Sequence, residues 1–521
     1  MKRRKLPIGG VQTFSEVMEN YDVYVDKTRQ IYDIATMYKT VFLARPRRFG
    51  KSLLCSTIES LFLGKKDLFK GLYISETDWE WKEYPVIHLD FAARNYTDNG
   101  VNVLIDTLNN QMDSVCEKFD INVDRNDFVD GRFALIITKI SEKHGQVVVI
   151  VDEYDYPLIN TINLPDINEK IREVLRGFYG TFKQNDRHLR FVFVTGVTKF
   201  SQISMFSGFN QPWDISMDYE FCNICGITQD ELEKYFEPEI TMYSEEHGGK
   251  NIYLEKLRMN YNGYFFSEDK VAVYNTFGVL THFNNRGKFL PYWSMSGEPS
   301  FMRKYLEDNN IDAVDIENAK LNVNDFGDYK DNTITIFPLL YQSGYLTIKG
   351  FDNLSGIYTL DYPNVEVRKS LAEFLSKIYS KTNSTLWNST ALKLNKSLLD
   401  GNIEGFFELI KRYLHGVDYS LSSKITEYYF EFAFTNIVNM LGLECRNEVH
   451  TANGRMDCVI FAGKYVYVLE FKVDKPVEDA LWQLENKNYA DIYAYKGKEI
   501  YEIGIVFSWE KRNIIEWKIR T

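Results

Sequence analysis

Prolines are scarce, 12 in 521 residues, and no Gly-, Ser- or Gln-rich tract interrupts the chain, so a disordered or low-complexity protein is excluded. No apolar run approaches the ~20 residues that a membrane span needs. The basic start Met1-Lys2-Arg3-Arg4-Lys5 is followed by Pro7, Gly9, Gly10 and Gln12, which interrupt the apolar segment of a signal peptide. The expectation is a soluble, cytoplasmic protein with no membrane partner. Six cysteines are too few for a disulfide framework at this length. Cys222 and Cys225 form a lone C-x-x-C with no second pair or His cluster at ligand spacing, which reads as two half-buried thiols rather than a zinc or redox site. A cationic surplus is also missing. The formal net charge of −12 excludes coating of nucleic acid by bulk electrostatics, though local basic patches survive that exclusion.

What the chain does have is apolar material for several cores, with 45% hydrophobic and 15% aromatic residues, and a length that calls for two to four domains. The stretch Val41 to Leu54 reads as a buried strand, a tight loop and a helix, and contains Gly50-Lys51-Ser52. In a phosphate-binding loop of the form G-x-x-x-x-G-K-[ST], backbone N–H groups cradle phosphates, the Lys reaches the β/γ oxygens and the hydroxyl ligates Mg²⁺. Arg45 stands where the first Gly of that pattern belongs, and with Arg47, Arg48 and Lys51 it makes a basic patch. A basic loop ahead of a helix is the plainer alternative.

The support comes a hundred residues on. Val147-Val148-Val149-Ile150-Val151 is a run of five β-branched residues, the mark of a strand buried on both faces of a parallel sheet, and it ends in Asp152-Glu153. Carboxylates at that end of a strand lie where α/β sheets bind ligands. Asp152 suits the Mg²⁺ shell and Glu153 the polarisation of an attacking water. Pro85 to Phe91 and Leu189 to Gly196 read as further buried strands, with a helix over Val101 to Phe119, so the first part of the chain is expected to be a parallel-sheet α/β sandwich. Thr195, at the end of its strand, is either a sensor of the γ-phosphate or a strand-capping hydroxyl.

Between Ile227 and Ser420 the pattern turns to amphipathic helices with aromatic joints, and Thr228-Gln229-Asp230-Glu231 has the form of a capped helix start. Phe337 to Ile348 suggests a helix turning through Gly344 into a strand, as in a winged helix, and few Lys or Arg accompany it, which favours a lid over a DNA reader. The Asn/Ser/Thr-rich stretch Lys381 to Thr390 is the linker candidate.

Near the C-terminus a helix carrying Glu427 and Glu431 stops at Gly442, and three strands follow at about Glu444–His450, Gly454–Phe461 and Lys464–Val473. A hairpin turn at Ala462-Gly463 sets Asp457 opposite Val468 with Glu470 as a diagonal neighbour, and alternation puts Val466, Val468, Glu470 and Lys472 on one face. An Asp, a Glu-x-Lys and the hairpin joining them are the parts of a divalent-metal phosphodiesterase. A solvent-exposed hairpin with a surface ion pair is the alternative.

Two sets of motifs carry a family resemblance. Tyr24 to Thr28, Arg45 to Ser52, Val151 to Asp155 with Pro157, Thr195 to Phe200 and Phe206 to Asn210 resemble the AAA-ATPase-like family found mainly in bacteria, in which the first loop Gly is habitually Arg. Asn260 to Phe266, Val273 to Phe277, Tyr292-Trp293 and Gly297 to Phe301 belong to the same resemblance. Glu448 to Thr451, Gly454 to Asp457, Leu469 to Lys472, Ala480 to Leu484 and Lys487 to Tyr489 resemble the PD-(D/E)xK nuclease superfamily, with Met456 in place of the Pro. These resemblances imply domains at 1–226 (ATPase), 227–380 (helical lid or winged helix), 381–422 (linker and helices) and 423–521 (restriction-endonuclease-like). They imply ATP and Mg²⁺ as cofactors, held by Arg45, Arg47, Arg48, Phe49, Gly50, Lys51, Ser52, Asp152 and Thr195 with Glu153 catalytic. They also imply a DNA or RNA substrate cleaved by Asp457, Glu470 and Lys472, of which the first two hold metal. Glu427, Glu431, Glu448 and Gln483 are accessory candidates, and assembly as a homo-oligomer is left open. One count opposes a nuclease: 13 Lys and Arg stand against 15 Asp and Glu between Ser423 and Thr521. The competing class is therefore a nucleotide-switched interaction protein whose nuclease fold is a docking surface; a small-molecule kinase leaves the last hundred residues unexplained.

Overall fold

The structure, a computed structural model, describes all residues except 1–2, 9, 93, 126–127, 200–211, 269–270, 294, 296–318, 327–335, 380–383, 416–426, 452–453, 488–492, 494–496 and 521. The motif stretches Phe206–Asn210 and Gly297–Phe301, and most of Lys487–Tyr489, thus lie outside the described residues. The chain divides into two compact units, one of residues 1–305 and 318–364, the other of residues 306–317 and 365–521.

The first unit is built on a parallel sheet of β1 (Thr40–Ala44), β2 (Val86–Asp90), β3 (Val147–Asp152), β4 (Leu189–Gly196) and β5 (Trp213–Asp214), in the order β2-β3-β4-β1-β5. Every residue of β3 is buried, as its β-branched run requires. The helices Gly100–Lys118, Val129–His144 and Pro165–Gln184 close one face, where Leu104, Phe133, Ile137, Leu175 and Phe178 meet Ile87, Val149 and Val192 in one apolar core. Each of these fully buried side chains contributes about 1.5–3 kcal/mol of transfer free energy. The topology has a consequence for the ligand site. β4 lies between β1 and β3, so the loop after β4 sits between the phosphate-loop candidate and the Asp152-Glu153 pair.

After the sheet, Thr228 caps the helix Gln229–Tyr235 reciprocally with Glu231, as the sequence pattern predicts. A two-stranded ribbon, β6 (Tyr264–Phe265) and β7 (Ala272–Val273), follows. The helix Ile336–Ser343 runs through Gly344, at φ +91°, into a three-stranded antiparallel sheet of β8 (Ala319–Asn322), β9 (Thr347–Asp352) and β10 (Ile357–Asp361).

In the second unit, β11 (Glu444–Thr451), β12 (Gly454–Ala462), β13 (Tyr465–Val473), β14 (Glu499–Ser508) and β15 (Asn513–Arg520) form one mixed sheet in chain order, with β13 and β14 parallel. Helices Ser384–Leu399, Ile403–His415 and Glu427–Met440 supply Leu394, Phe406, Ile410, Phe434 and Val438 to a core with Tyr467, Leu469 and Phe471 on one face of this sheet. The stretch expected to be a linker is helical from Ser384 onward. Leu394 and Leu398 further along the helix are buried, so packing of its later turns overrides the low propensity of its Asn/Ser/Thr-rich start.

Candidate ATP and metal sites

The loop after β1 turns on two left-handed residues, Arg48 at φ +70° and Gly50 at φ +93°, and Gly50 then starts the helix Lys51–Phe62. Arg45 is not among the positive-φ residues, so the position needs no glycine. Its guanidinium is turned away from the cavity above the loop. It donates to the carbonyls of Ser216 (2.7 Å), Ala44 (2.9 Å) and Phe221 (3.1 Å) and stacks 4.2 Å from the centroid of the Phe266 ring. Arg45 is thus a buried staple at the base of the loop, which corrects its assignment as a ligand contact. Phe49 lies outside that cavity, 1% exposed and packed edge-on against Tyr264 and Phe266, and lines the smaller apolar recess beside Gly50. Arg47 and Arg48 are exposed and line the cavity, with Arg48 over the Phe277 ring.

That cavity has a volume of about 370 Å³ and is lined by Lys51, Ser52, Asp90, Asp152, Glu153 and Thr198, among others. Lys51 Nζ lies 3.4 Å from Glu153 Oε1 and 3.3 Å from the Pro46 carbonyl, to which it donates. Glu153 has φ +51°, a strained value for a side chain of this size, and its N–H is held by Asp152 Oδ1 at 2.9 Å. Burial and then the neighbouring Glu153 push the Asp152 carboxyl above its usual range, opposed by Lys51 and a hydrogen bond from Ser52. The Ser52–Asp152 pair beside the cavity is the donor set a hard divalent cation takes. Gly344 packs onto Pro46, where an added Cβ would come within 2.9 Å of the proline ring, and Ser343 and Tyr345 on either side line the same cavity.

Thr195 does not reach the cavity. It is fully buried and its hydroxyl donates to the Leu43 carbonyl at 2.8 Å, the strand-capping alternative. Thr198, three positions on, does line the cavity. Its N–H and Oγ1 are held at 2.6 and 2.5 Å by Asp155 Oδ2, a fully buried carboxylate raised to about 6 by burial and by Glu153. Gly196 is required there, because an added Cβ would lie 2.3 Å from Asp155 Oδ1. The strand-end rule that finds Asp152 also finds Asp90, which the β2–β3 register sets beside it. A smaller apolar recess of about 80 Å³ lies across Gly50 and Leu53, lined by Tyr24, Leu54, Ile227, Phe236 and Leu280. Cys222 and Cys225 are 2% and 3% exposed, more deeply buried than expected.

In the second unit the hairpin register differs from the expected one. Ala462 pairs with Tyr465 and Val459 with Val468, so the loop is Gly463-Lys464, with Gly463 at φ +59° taking the first loop position. The shift carries Asp457 past Val468 and along to Glu470, the next step after the Cys458–Leu469 pair, and Asp457 Oδ2 accepts from Phe471 N–H at 2.8 Å. The hairpin is not solvent-exposed: β13 is buried over its first seven residues and Glu470 is 1% exposed. Lys472 Nζ spends its three protons on Glu470 Oε1 (2.8 Å), the Phe471 carbonyl (3.0 Å) and Gln483 Oε1 (3.1 Å). Gln483 comes from the helix Val477–Lys487, which approaches β14 closely because residue 504 is a glycine; a Cβ there would lie 2.9 Å from that of Ala480. Glu470 Oε2 is buried and has no hydrogen-bond partner among the described residues, and burial followed by the Asp457 charge raises the Glu470 carboxyl to about 7. A buried carboxyl beside a second carboxylate, with one lysine between solvent and the pair, fits a divalent cation. Glu427 and Glu431 are on the helix Glu427–Met440 and Glu448 is on β11, with side chains outside the described residues.

These two sites define a P-loop ATPase fold joined to a nuclease-like module. A family model for a predicted AAA-ATPase matches residues 7–206, and one for the PD-(D/E)XK nuclease superfamily matches residues 425–517. The chain belongs to this AAA-ATPase-like family and carries a PD-(D/E)XK nuclease superfamily domain. It is similar along its whole length to the uncharacterized protein in the vnfD 5′ region of Azotobacter chroococcum mcd 1, with 33% identity over 542 residues and 100% of both chains covered. Among solved structures it is similar to the Aeropyrum pernix ORC2 protein in ADPNP–ADP complexes, at 10% identity and a TM-score of 0.27, over 69% of this chain and 94% of that one. No helix among the described residues is long and apolar enough to cross a membrane.

Proposed function

We propose that this protein binds and hydrolyses ATP in the first unit and cleaves DNA in the second with a divalent metal, nucleotide state gating cleavage, in bacterial genome defence or control of mobile elements. The observation that carries the ATP half is the convergence of Lys51, Ser52, Asp152 and Glu153 on one 370 Å³ cavity beyond the carboxyl ends of a parallel sheet. Lys51, 3.4 Å from Glu153 Oε1, would turn to the β/γ phosphates. That movement frees Glu153 to orient a water and accept its proton. Arg47 supplies a further positive contact, and Thr198, held by Asp155, is the sensing hydroxyl. The apolar recess beyond Gly50 suits the base.

The nuclease half rests on the buried Glu470 carboxyl beside Asp457, raised to about 7 by burial and by the Asp457 charge. When bound, the cation, Mg²⁺ by preference, polarises the scissile phosphate and lowers the pKa of a water. Lys472, held by Gln483, is the donor placed beside that water or the developing oxyanion. The near-parity of 13 basic and 15 acidic residues between Ser423 and Thr521 favours a second reading, in which the module docks a partner instead of cutting nucleic acid. Assaying the purified protein against double- and single-stranded DNA and RNA separates them. Asp457→Ala removes cleavage under the first reading, and the parent cuts none of these under the second.

A further inference from the structure

Three side chains near the ATP cavity, Cys55, Glu59 and His88, have no part in the ATP reading. The helix Lys51–Phe62 carries Cys55 and Glu59 one turn apart on a single face, over the ends of β2 and β3. Cys55 Sγ, a ring nitrogen of His88 and a carboxylate oxygen of Asp152 all lie within 4.8 Å of one another. Cys55 and Asp152 are buried, whereas the His88 side chain is 27% exposed and leaves a route in from solvent. Independently of that convergence, Glu59 Oε2 lies 2.9 Å from His88 Nδ1, leaving Nε2 as the nitrogen for a further bond. A carboxylate behind a histidine is how metal sites fix the ring and aim its other nitrogen at the ion.

The donor set is sulfur, imidazole nitrogen and one carboxylate oxygen. Mg²⁺ takes oxygen ligands in octahedral geometry, whereas a thiolate and an imidazole select a softer tetrahedral ion. Bonds of about 2.0–2.3 Å hold tetrahedral ligands roughly 3.3–3.8 Å apart, so ligand pairs at the wide end of the observed spacing would draw in by about 1 Å. Closing the site requires Cys55 and His88 to turn about χ1, and the fourth position is left to water.

We propose that Cys55, His88 and Asp152 form a binding site for a soft divalent cation of the Zn²⁺ class, whose occupation withdraws Asp152 from the nucleotide's Mg²⁺ and stops ATP turnover. Binding displaces the thiol proton of Cys55 to solvent. The inhibitory consequence rests on the reading of Asp152 as a Mg²⁺ ligand, whereas the binding itself does not.

Co²⁺ is the probe for the site, added to the full-length protein and followed by absorption. The parent is expected to give a sulfur-to-cobalt charge-transfer band with the d–d bands of a tetrahedral ion. The band should vanish in Cys55→Ser and persist in Cys445→Ser, a control for the Cys445–Cys458 pair, whose sulfurs are 3.4 Å apart. Glu59→Gln should weaken Co²⁺ binding about 10- to 100-fold. His88→Gln gives the same comparison if Cys55→Ser fails to fold. Absence of the band in the parent, or its persistence in both Cys55→Ser and His88→Gln, overturns the site. For the consequence, Zn²⁺ titrated against excess Mg²⁺ should inhibit ATP turnover by the parent at a concentration at least about 10-fold lower than for Cys55→Ser, each relative to its own basal rate. Equal inhibition of parent and variant overturns the consequence. Because the cobalt spectrum needs no ATP, failure of the nucleotide reading is distinguishable from failure of the metal site.

Discussion

Lys51 and Lys472 each face a carboxylate, Glu153 at 3.4 Å and Glu470 at 2.8 Å, but the two surroundings are built for different ligands. Around Lys51 the backbone is strained at Arg48 and Glu153, and the side chains open onto a cavity large enough for phosphates. Around Lys472 every ammonium proton has an acceptor, and the unmet group is one carboxylate oxygen of Glu470. On the function proposed above, the first arrangement would take an extended anion by shape and backbone donors, and the second a point positive charge. A lysine next to a glutamate therefore says little until the orphaned atom beside it is identified.

The largest effects should separate the two sites completely. Lys51→Ala is expected to lower ATP affinity by roughly 100-fold or more, read by calorimetry, while leaving a Mn²⁺-induced rise in melting temperature intact. Glu470→Ala should diminish that rise and leave ATP affinity within about 2-fold of the parent. A variant that moved both readouts would break the comparison.

Next come the two arginines of the phosphate loop. Arg45→Ala removes a buried cation from at least three carbonyl acceptors and should cost about 2–4 kcal/mol of unfolding free energy in urea melts. Arg47→Ala is expected to change stability by less than about 0.5 kcal/mol and to weaken ATP binding about 10-fold. The reverse pattern would return Arg45 to the ligand site.

Acid should distinguish the units as well. His282 is buried and pushed down to about 3, with Nδ1–H donating to the Lys288 carbonyl at 3.0 Å and Nε2 accepting from the Tyr253 hydroxyl at 2.7 Å. Its folded value lies below the unfolded one, so its contribution is complete above about pH 6.5 and is lost as the pH falls towards 3. Between pH 6.5 and 5 the first unit should lose on the order of 2 kcal/mol, a slope that His282→Gln flattens in denaturant melts followed across that range. The smallest effect is expected at Gln483. Gln483→Ala removes one of three acceptors from Lys472 and should slow DNA cleavage about 10-fold without altering the metal-induced melting shift.

The sequence was most legible where one local rule sufficed. The β-branched run at Val147–Val151 and the Gly50-Lys51-Ser52 turn identify a sheet, a loop and a helix without long-range information. The capping box at Thr228 is equally local. The burial of Arg45 is not legible locally, because its partners, the carbonyls of Ser216, Phe221 and Cys222, are more than 170 residues away. Thr195 and Thr198 are distinguishable only once Asp155 is seen holding the second. In the hairpin, alternation gave the correct faces, but the turn position depended on whether Gly463 was the last loop residue or the first, and one residue of turn shift moved the cross-strand pairing by two. The burial of Glu470 depends on the helix Val477–Lys487, whose close packing turns on Gly504.

The measurement closest to the central claim is made on full-length protein, with ATP and divalent metal varied separately while ATP turnover and cleavage of double-stranded DNA are followed together. Metal-dependent cleavage that rises at least about 10-fold with ATP, disappears in Asp457→Ala and leaves that variant's ATP turnover unchanged is the result predicted. Cleavage by Asp457→Ala at the parental rate, or cleavage by the parent indifferent to both ATP and metal, would contradict it.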